Sequence, residues 1–426
     1  MSTIGSAPID VWVARGVLAA LAALCAIAVI VPAGLGWDFA NFYDAGRKIL
    51  AGQIDELYDV TAWIAGAPPQ GEMLFLSAPI SAYLYAPMAL LPPHAALIAF
   101  KLQNVAAIAF ALWLMHRRLA PLAGENASAR ARFTALFLVM AALYQPLWSV
   151  FRVGGQTTPT VLLLLTAAAL CHARANFAAS AALLMTAGLI KPVLAPGLIF
   201  IGVVSGWRFF WIAAGYGAVV AAASFALMGP DIQVEFLRQV ASASQEHWLP
   251  EYNSALTAGL DTLLRGDASG AAPHTTASFA LQIVARLFAV GLAVWLWRGA
   301  QTGIAGDGER RFFAVLVGVL LALTFSNVLW EHYLSYIFIL YAMIAATRRQ
   351  FPRPALALIA AIIVLSIGQN VVLVMAARSV FGFDTLLEQT LIAQFKSLPL
   401  LLTTIFVIAY RRQLYAALSM PGWRAA

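Results

Sequence analysis

Four charged residues break into the stretch "GLGWDFANFYDAGRKIL" (34–50), where Asp38, Asp44, Arg47 and Lys48 alternate with Trp37, Phe39, Phe42 and Tyr43. A carboxylate can take the proton of an attacking hydroxyl, and guanidinium or ammonium groups can hold a phosphate. Such groups recur at the ends of apolar runs. "LYQPLWSVFRVGGQTTPT" (143–160) offers Arg152 and Gln156, "LIKPVLAPGLI" (189–199) offers Lys191, and "SNVLWEHYLSY" (326–336) offers Trp330, Glu331 and His332. Gln369, Asn370, Arg378 and Lys396 stand in similar places. Gathered around one cavity, a base and several cations suit displacement of a lipid phosphate from a sugar carbon. Phosphate leaves without a proton if its charge is stabilised, so one carboxylate suffices where glycoside hydrolysis uses two.

Each of these residues also has a plainer reading. Asp38 can cap a helix by accepting the Asn41 N–H, worth about 1 kcal/mol, and a cap would fix its carboxylate for chemistry as well. Asp44 can pair with Arg47 and Lys48 along a solvated helix face, for roughly 0.2–0.5 kcal/mol per pair. Lys191 can snorkel to the headgroups. Trp330 and Tyr333 fit an interfacial aromatic belt, whereas Glu331 and His332 do not.

The elements that must position these groups are membrane helices. The chain has 426 residues, 62% of them hydrophobic and 11% charged, against about 25% charged in an ordinary soluble domain. Residues 16–37 run 22 positions without a charge, long enough for the roughly 20 residues a bilayer core requires. Similar runs follow, so the first is expected to be a span and not a removable leader. The whole chain reads as one all-α polytopic domain, 1–426, with about twelve spans near 11–33, 87–115, 133–150, 159–172, 177–190, 193–206, 209–228, 277–298, 312–328, 333–347, 355–375 and 397–410.

Orientation follows from lysine and arginine. With the N-terminus inside, the short inner loops and tails hold 16 of the 26 basic residues but 4 of the 19 acidic ones. Both termini are then cytoplasmic, in a multi-pass cytoplasmic-membrane protein. The long segments 34–86 and 229–276 face outward and are expected to carry amphipathic helices, the first lying in the interfacial plane on a stripe of residues 39, 42, 43, 46, 49 and 50. Cys25 and Cys171 lie in apolar runs without a C-x-x-C pair, and the scattered histidines form no metal motif. No internal repeat is visible, and nothing points to nucleic acid.

The ordered set of motifs resembles the polyprenyl-phosphate-sugar-dependent glycosyltransferases of the multi-spanning GT-C class, family 87 in particular. "WDFANFYDAGRKILAG" with "LYD" (37–59) is similar to that family's segment after the first span. "YQPLWSVFRVGGQTTPTVLLLL" (144–165) resembles its G-Q motif, "GLIKPVLAPGLIF" (188–200) its K-P step, and "SNVLWEHYLSYIFIL" (326–340) its W-x-H pattern. "EYNSALTAGLDTLLRG" (251–266) resembles a drifted N-Q-S segment, and "FLSAPISAYLYAP" (75–87) lacks the family's Tyr-Pro-Pro step.

The resemblance implies a GT-C-like bundle and inverting transfer of a hexose, mannose foremost, onto a glycolipid or glycan acceptor at the outer face. It casts Asp38 as base, Lys191, Arg152 and His332 as the donor-phosphate site, and Trp37, Tyr43, Asp44, Gln156, Asn253, Trp330 and Glu331 as sugar or acceptor lining. The lipid-linked sugar is a co-substrate, and neither cofactor nor divalent metal is expected. The rival reading is a secondary transporter or lipid flippase, which would carry its ionisable residues at mid-membrane. Here they crowd one end of the spans.

Overall fold

The computed structural model describes residues 9–30, 37–59, 75–151, 155–243, 253–266, 275–368, 379–380, 382 and 385–420. Among them the α-helices are, in chain order, α1 (Ile9–Ile30), α2 (Trp37–Ala51), α3 (Ala86–Ala89), α4 (Pro93–Leu119), α5 (Ala127–Leu143), α6 (Thr158–Ala173), α7 (Phe177–Ile190), α8 (Ala195–Val204), α9 (Trp207–Ala243), α10 (Ala258–Arg265), α11 (Thr276–Gly303), α12 (Asp307–Phe325), α13 (Phe338–Ala346), α14 (Arg353–Gly368), α15 (Leu386–Ala409) and α16 (Arg411–Leu418). The described residues contain no strand, only an isolated bridge between Asn253 and Trp330.

All twelve apolar runs contain helix, but among the described residues fewer than twelve helices are long and apolar enough to count as spans by themselves. Among the described residues five helices are long and apolar enough to cross a membrane: α1, α4, α9, α11 and α15. A sixth arises only if α5 is joined to the 3₁₀ residues 145–151, from which it is bent by 69°. Two physical causes shorten the rest. Pro146 and Pro192 each follow a helix end and open a 3₁₀ turn, because a proline there cannot continue the hydrogen-bond ladder. The resulting helices, such as the 14-residue α7, span about 21 Å at 1.5 Å per residue, short of the roughly 30 Å hydrocarbon. In α12, Asp307, Glu309, Arg310 and Arg311 occupy the start of an otherwise apolar run.

Short helices survive in such a medium when protein, not lipid, surrounds them. In α12 every residue from Phe312 to Thr324 is buried, the pattern of a helix that is apolar on all sides. It packs against α6, α8 and α11. At the α8 crossing, a methyl group at Gly197 would overlap the carbonyl of Gly318, so backbone meets backbone there, as small residues permit in membranes.

Helix α2 departs from the interfacial picture. Phe39, Ala40, Phe42, Tyr43, Ala45 and even Asp44 and Lys48 are buried. Phe42 stacks on Tyr85 at 4.8 Å, and Phe39 lies 5.4 Å from Phe100 of α4. So α2 is docked into protein, with Arg47 and Leu50 on its outer side. That docking sets the rotation of the helix and therefore the position of Asp38.

Candidate active site

Asp38 lies in the first turn of α2. Its side chain is half-buried. The loop before α6 reaches it through Gly155 and Gln156. Gly155 adopts φ +90°, where a Cβ would be strained, and that Cβ would also stand 2.8 Å from the Cβ of Phe39. Only glycine lets the loop lie this close to α2. From α4, the Asn104 side chain donates to the Gln156 carbonyl at 3.0 Å and fixes the next residue.

The Gln156 amide then joins two charges. Lys191 Nζ donates to Gln156 Oε1 at 2.7 Å, and the Asp38 carboxylate is hydrogen-bonded to the Gln156 side chain. Asp38 and Lys191 form no direct ion pair within 4 Å among the described contacts. A neutral amide stands between carboxylate and ammonium, which keeps them from collapsing onto one another. Tyr333 completes the group, its hydroxyl 3.5 Å from Lys191 Nζ and its ring centroid 5.1 Å from the same atom.

Burial governs the electrostatics. It raises the Asp38 carboxyl above its ordinary value, while the Lys191 charge and the Gln156 hydrogen bond oppose the shift. It lowers the Lys191 ammonium to about 8, against the pull of Asp38. A carboxylate held this way is a stronger base once ionised, and a cation held this way gains from any incoming anion.

Lys191 caps α7 in an extended conformation, φ −133° and ψ 88°, as the residue before a proline must. The last α7 carbonyls are taken up by the segment between α2 and α3. Ala78 N donates to Leu189 O at 3.0 Å, Ser77 Oγ donates to Ile190 O at 2.8 Å, and Tyr58 donates to Ser77 O at 2.8 Å. Ser77 thus positions Lys191 without touching its side chain. Ser77→Ala should raise the lysine-dependent KM roughly three- to tenfold, the worth of one buried hydrogen bond. Turnover should change little, and Ser77→Thr should restore KM. Equal losses in kcat for both variants would make Ser77 merely structural.

His332 is buried, stacked on Trp330 at 6.4 Å and edge-on to Tyr333 at 4.6 Å. Its Nε2 has no hydrogen-bond partner among the described residues. The turn that carries it is pinned from the segment just before α10. Asn253 donates to Asn327 O at 3.0 Å and accepts from Leu329 N and Ala255 N, each at 3.0 Å. Both ends of the Asn253 amide are therefore engaged with backbone. Glu331 pairs with Lys396 of α15 at 3.2 Å, both side chains buried, which ties the same turn to a helix some sixty residues on.

The structure thus brings Asp38, Gln156, Lys191 and His332 together with Tyr333, flanked by Trp330. Tyr43 and Asp44 are placed elsewhere. The Tyr43 hydroxyl donates to Leu91 O at 2.8 Å, and Asp44 is ion-paired to Arg47 at 2.9 Å and Lys48 at 3.0 Å. Six positions along a helix turn Asp44 about 120° from Asp38 and move it about 9 Å along the axis. Arg152 and the Trp37 side chain lie outside the described residues. Asn104 and Ser77 were not singled out from the sequence. For Asn104 a signal existed: with Lys101 and Gln103 it forms a polar cluster inside an apolar run.

A family model described as Glycosyltransferase family 87 matches residues 75–327. The match includes Ser77, Gln156, Lys191 and Asn253, and stops short of Asp38 on one side and His332 on the other. No curated protein and no solved structure matches the chain.

Proposed function

Because this chain belongs to glycosyltransferase family 87, we propose that it transfers a hexose, mannose foremost, from a polyprenyl-phosphate sugar to a glycolipid or glycan acceptor. Asp38 takes the proton of the acceptor hydroxyl as its oxygen bonds to the anomeric carbon. The bond from that carbon to the phosphate oxygen breaks, and the polyprenyl phosphate leaves with the electron pair toward Lys191. Attack and departure on opposite faces invert the anomeric centre. His332 and Trp330 line the donor, and Gln156 holds base and cation one amide apart. The transfer takes place at the outer face of the cytoplasmic membrane, consistent with the basic inner loops.

The observation that carries this reading is the Asp38–Gln156–Lys191 arrangement, in which a raised carboxyl and a lowered ammonium share one amide. Membranes containing the protein, incubated with radiolabelled polyprenyl-phosphate mannose, glucose and arabinose in parallel, are expected to pass label to a new lipid or glycan from the mannose donor. Transfer from another donor would change the sugar; transfer from none of them, with label passed instead from a sugar nucleotide, would overturn the lipid-linked donor.

A further inference from the structure

Outside this site, α11 carries a charge in an unexpected place. Ile283, Val284, Leu287, Phe288 and Val290 are all exposed along its apolar flank, and Arg286 stands among them, half-buried. Its guanidinium lies 5.5 Å from the ring centroid of Phe325, and Nη2 donates to Asn327 Oδ1 at 3.4 Å. Its Nε is buried without a hydrogen-bond partner. Among the described residues no carboxylate comes within ion-pair distance of it. Cations inside a membrane protein are costly unless an anion matches them, and here the protein supplies a ring face and one long hydrogen bond.

Depth identifies where the anion can come from. The 28 residues of α11 measure about 42 Å, against roughly 30 Å of hydrocarbon. Arg286 is ten residues from the N-terminal end, about 15 Å along the axis. With the surplus length shared between the two ends, its Cα lies about 9 Å below the headgroup boundary. Helical side chains lean toward the N-terminus, which is the nearer boundary here, and an arginine stem covers most of that distance by snorkelling.

We propose that Arg286 and Asn327 form a lateral binding site for the phosphate of an anionic bilayer phospholipid, which is a partner of the protein and not a reactant. The lipid would act on the site's turn. Asn327 is held by Asn253, which also accepts from Leu329, immediately before Trp330 and the His332 turn. An occupied Arg286 braces Asn327 and so the residues beyond it. This inference is independent of which sugar donor is used.

The test uses the full chain in phosphatidylcholine nanodiscs containing phosphatidylglycerol with a photoreactive headgroup, followed by peptide mapping. The wild type is expected to be labelled at 276–290 and 325–330. Arg286→Gln should lower that labelling about fivefold, the effect of one basic residue near a membrane surface, with labelling of the basic loops at the other face unchanged. Arg286→Lys should keep most of it. Equal labelling in wild type and Arg286→Gln, or none at these peptides in the wild type, overturns the proposal. Should Arg286→Gln not fold, competition on the wild type decides: excess unlabelled phosphatidylglycerol must suppress the signal, and suppression by phosphatidylcholine to the same degree overturns it. Loss of sugar transfer with every donor would refute the proposed function and leave this measurement standing.

Discussion

Asp38→Asn should lower transfer by about three orders of magnitude, within the 10²–10⁴ attributed to a positioned general base, while donor KM stays within about twofold. The amide is nearly isosteric with the carboxyl and can still bond Gln156, so membrane insertion and thermal midpoint should be unchanged. What disappears is the ability to accept the acceptor's proton. The pH profile supplies a second readout. Burial raises the Asp38 carboxyl, so kcat/KM should climb with pH through a limb above the ordinary carboxylate range as Asp38 ionises. That limb should be absent from the residual activity of the variant. Full activity in Asp38→Asn would move the base elsewhere.

Lys191→Met should raise donor KM between about tenfold and a hundredfold, as expected for a charge-assisted hydrogen bond worth roughly 1.5–3 kcal/mol. It should also lower kcat, since the leaving phosphate loses its counter-charge. Two consequences for pH follow from the signs. The Lys191 ammonium is lowered to about 8, so in the resting enzyme it is charged below that pH and loses its proton above it; kcat/KM should fall on the alkaline side near 8. A bound phosphate favours the charged form, so the corresponding limb in kcat should lie higher. Lys191→Arg should abolish the limb. In Lys191→Met the acidic limb should move up, because the cation that lowered the Asp38 carboxyl is gone. A donor KM equal to that of the wild type would remove Lys191 from the phosphate site.

Much of this site was legible as residue types at the ends of apolar runs. Asp38, Gln156, Lys191 and His332 each stand beside a helix boundary marked by proline, glycine or an abrupt charge, and those boundaries converge in space. What could not be read was every contact with large sequence separation. Ser77 to Ile190, Asn253 to Leu329 and Glu331 to Lys396 join segments that share no local pattern. The amphipathic stripe of α2 was visible, but a stripe does not say whether lipid or protein covers it. The buried Asp44–Lys48 pair was equally ambiguous, since the same i,i+4 spacing serves a solvated face. The apolar runs also outnumber the described helices that are long enough to cross a membrane by themselves. Apolar runs broken by Pro146 and Pro192 become helices shorter than a bilayer core, and a sliding count does not register the break.

The assembly from remote segments carries a consequence for biogenesis. Asp38 leaves the ribosome nearly three hundred residues before Tyr333, an interval of roughly 15–60 s at about 5–20 residues per second. Throughout that time the early helix must wait, half-clad, for partners not yet made. A quality-control system that samples nascent membrane proteins would meet an unmatched carboxylate long before there is a lysine to answer it.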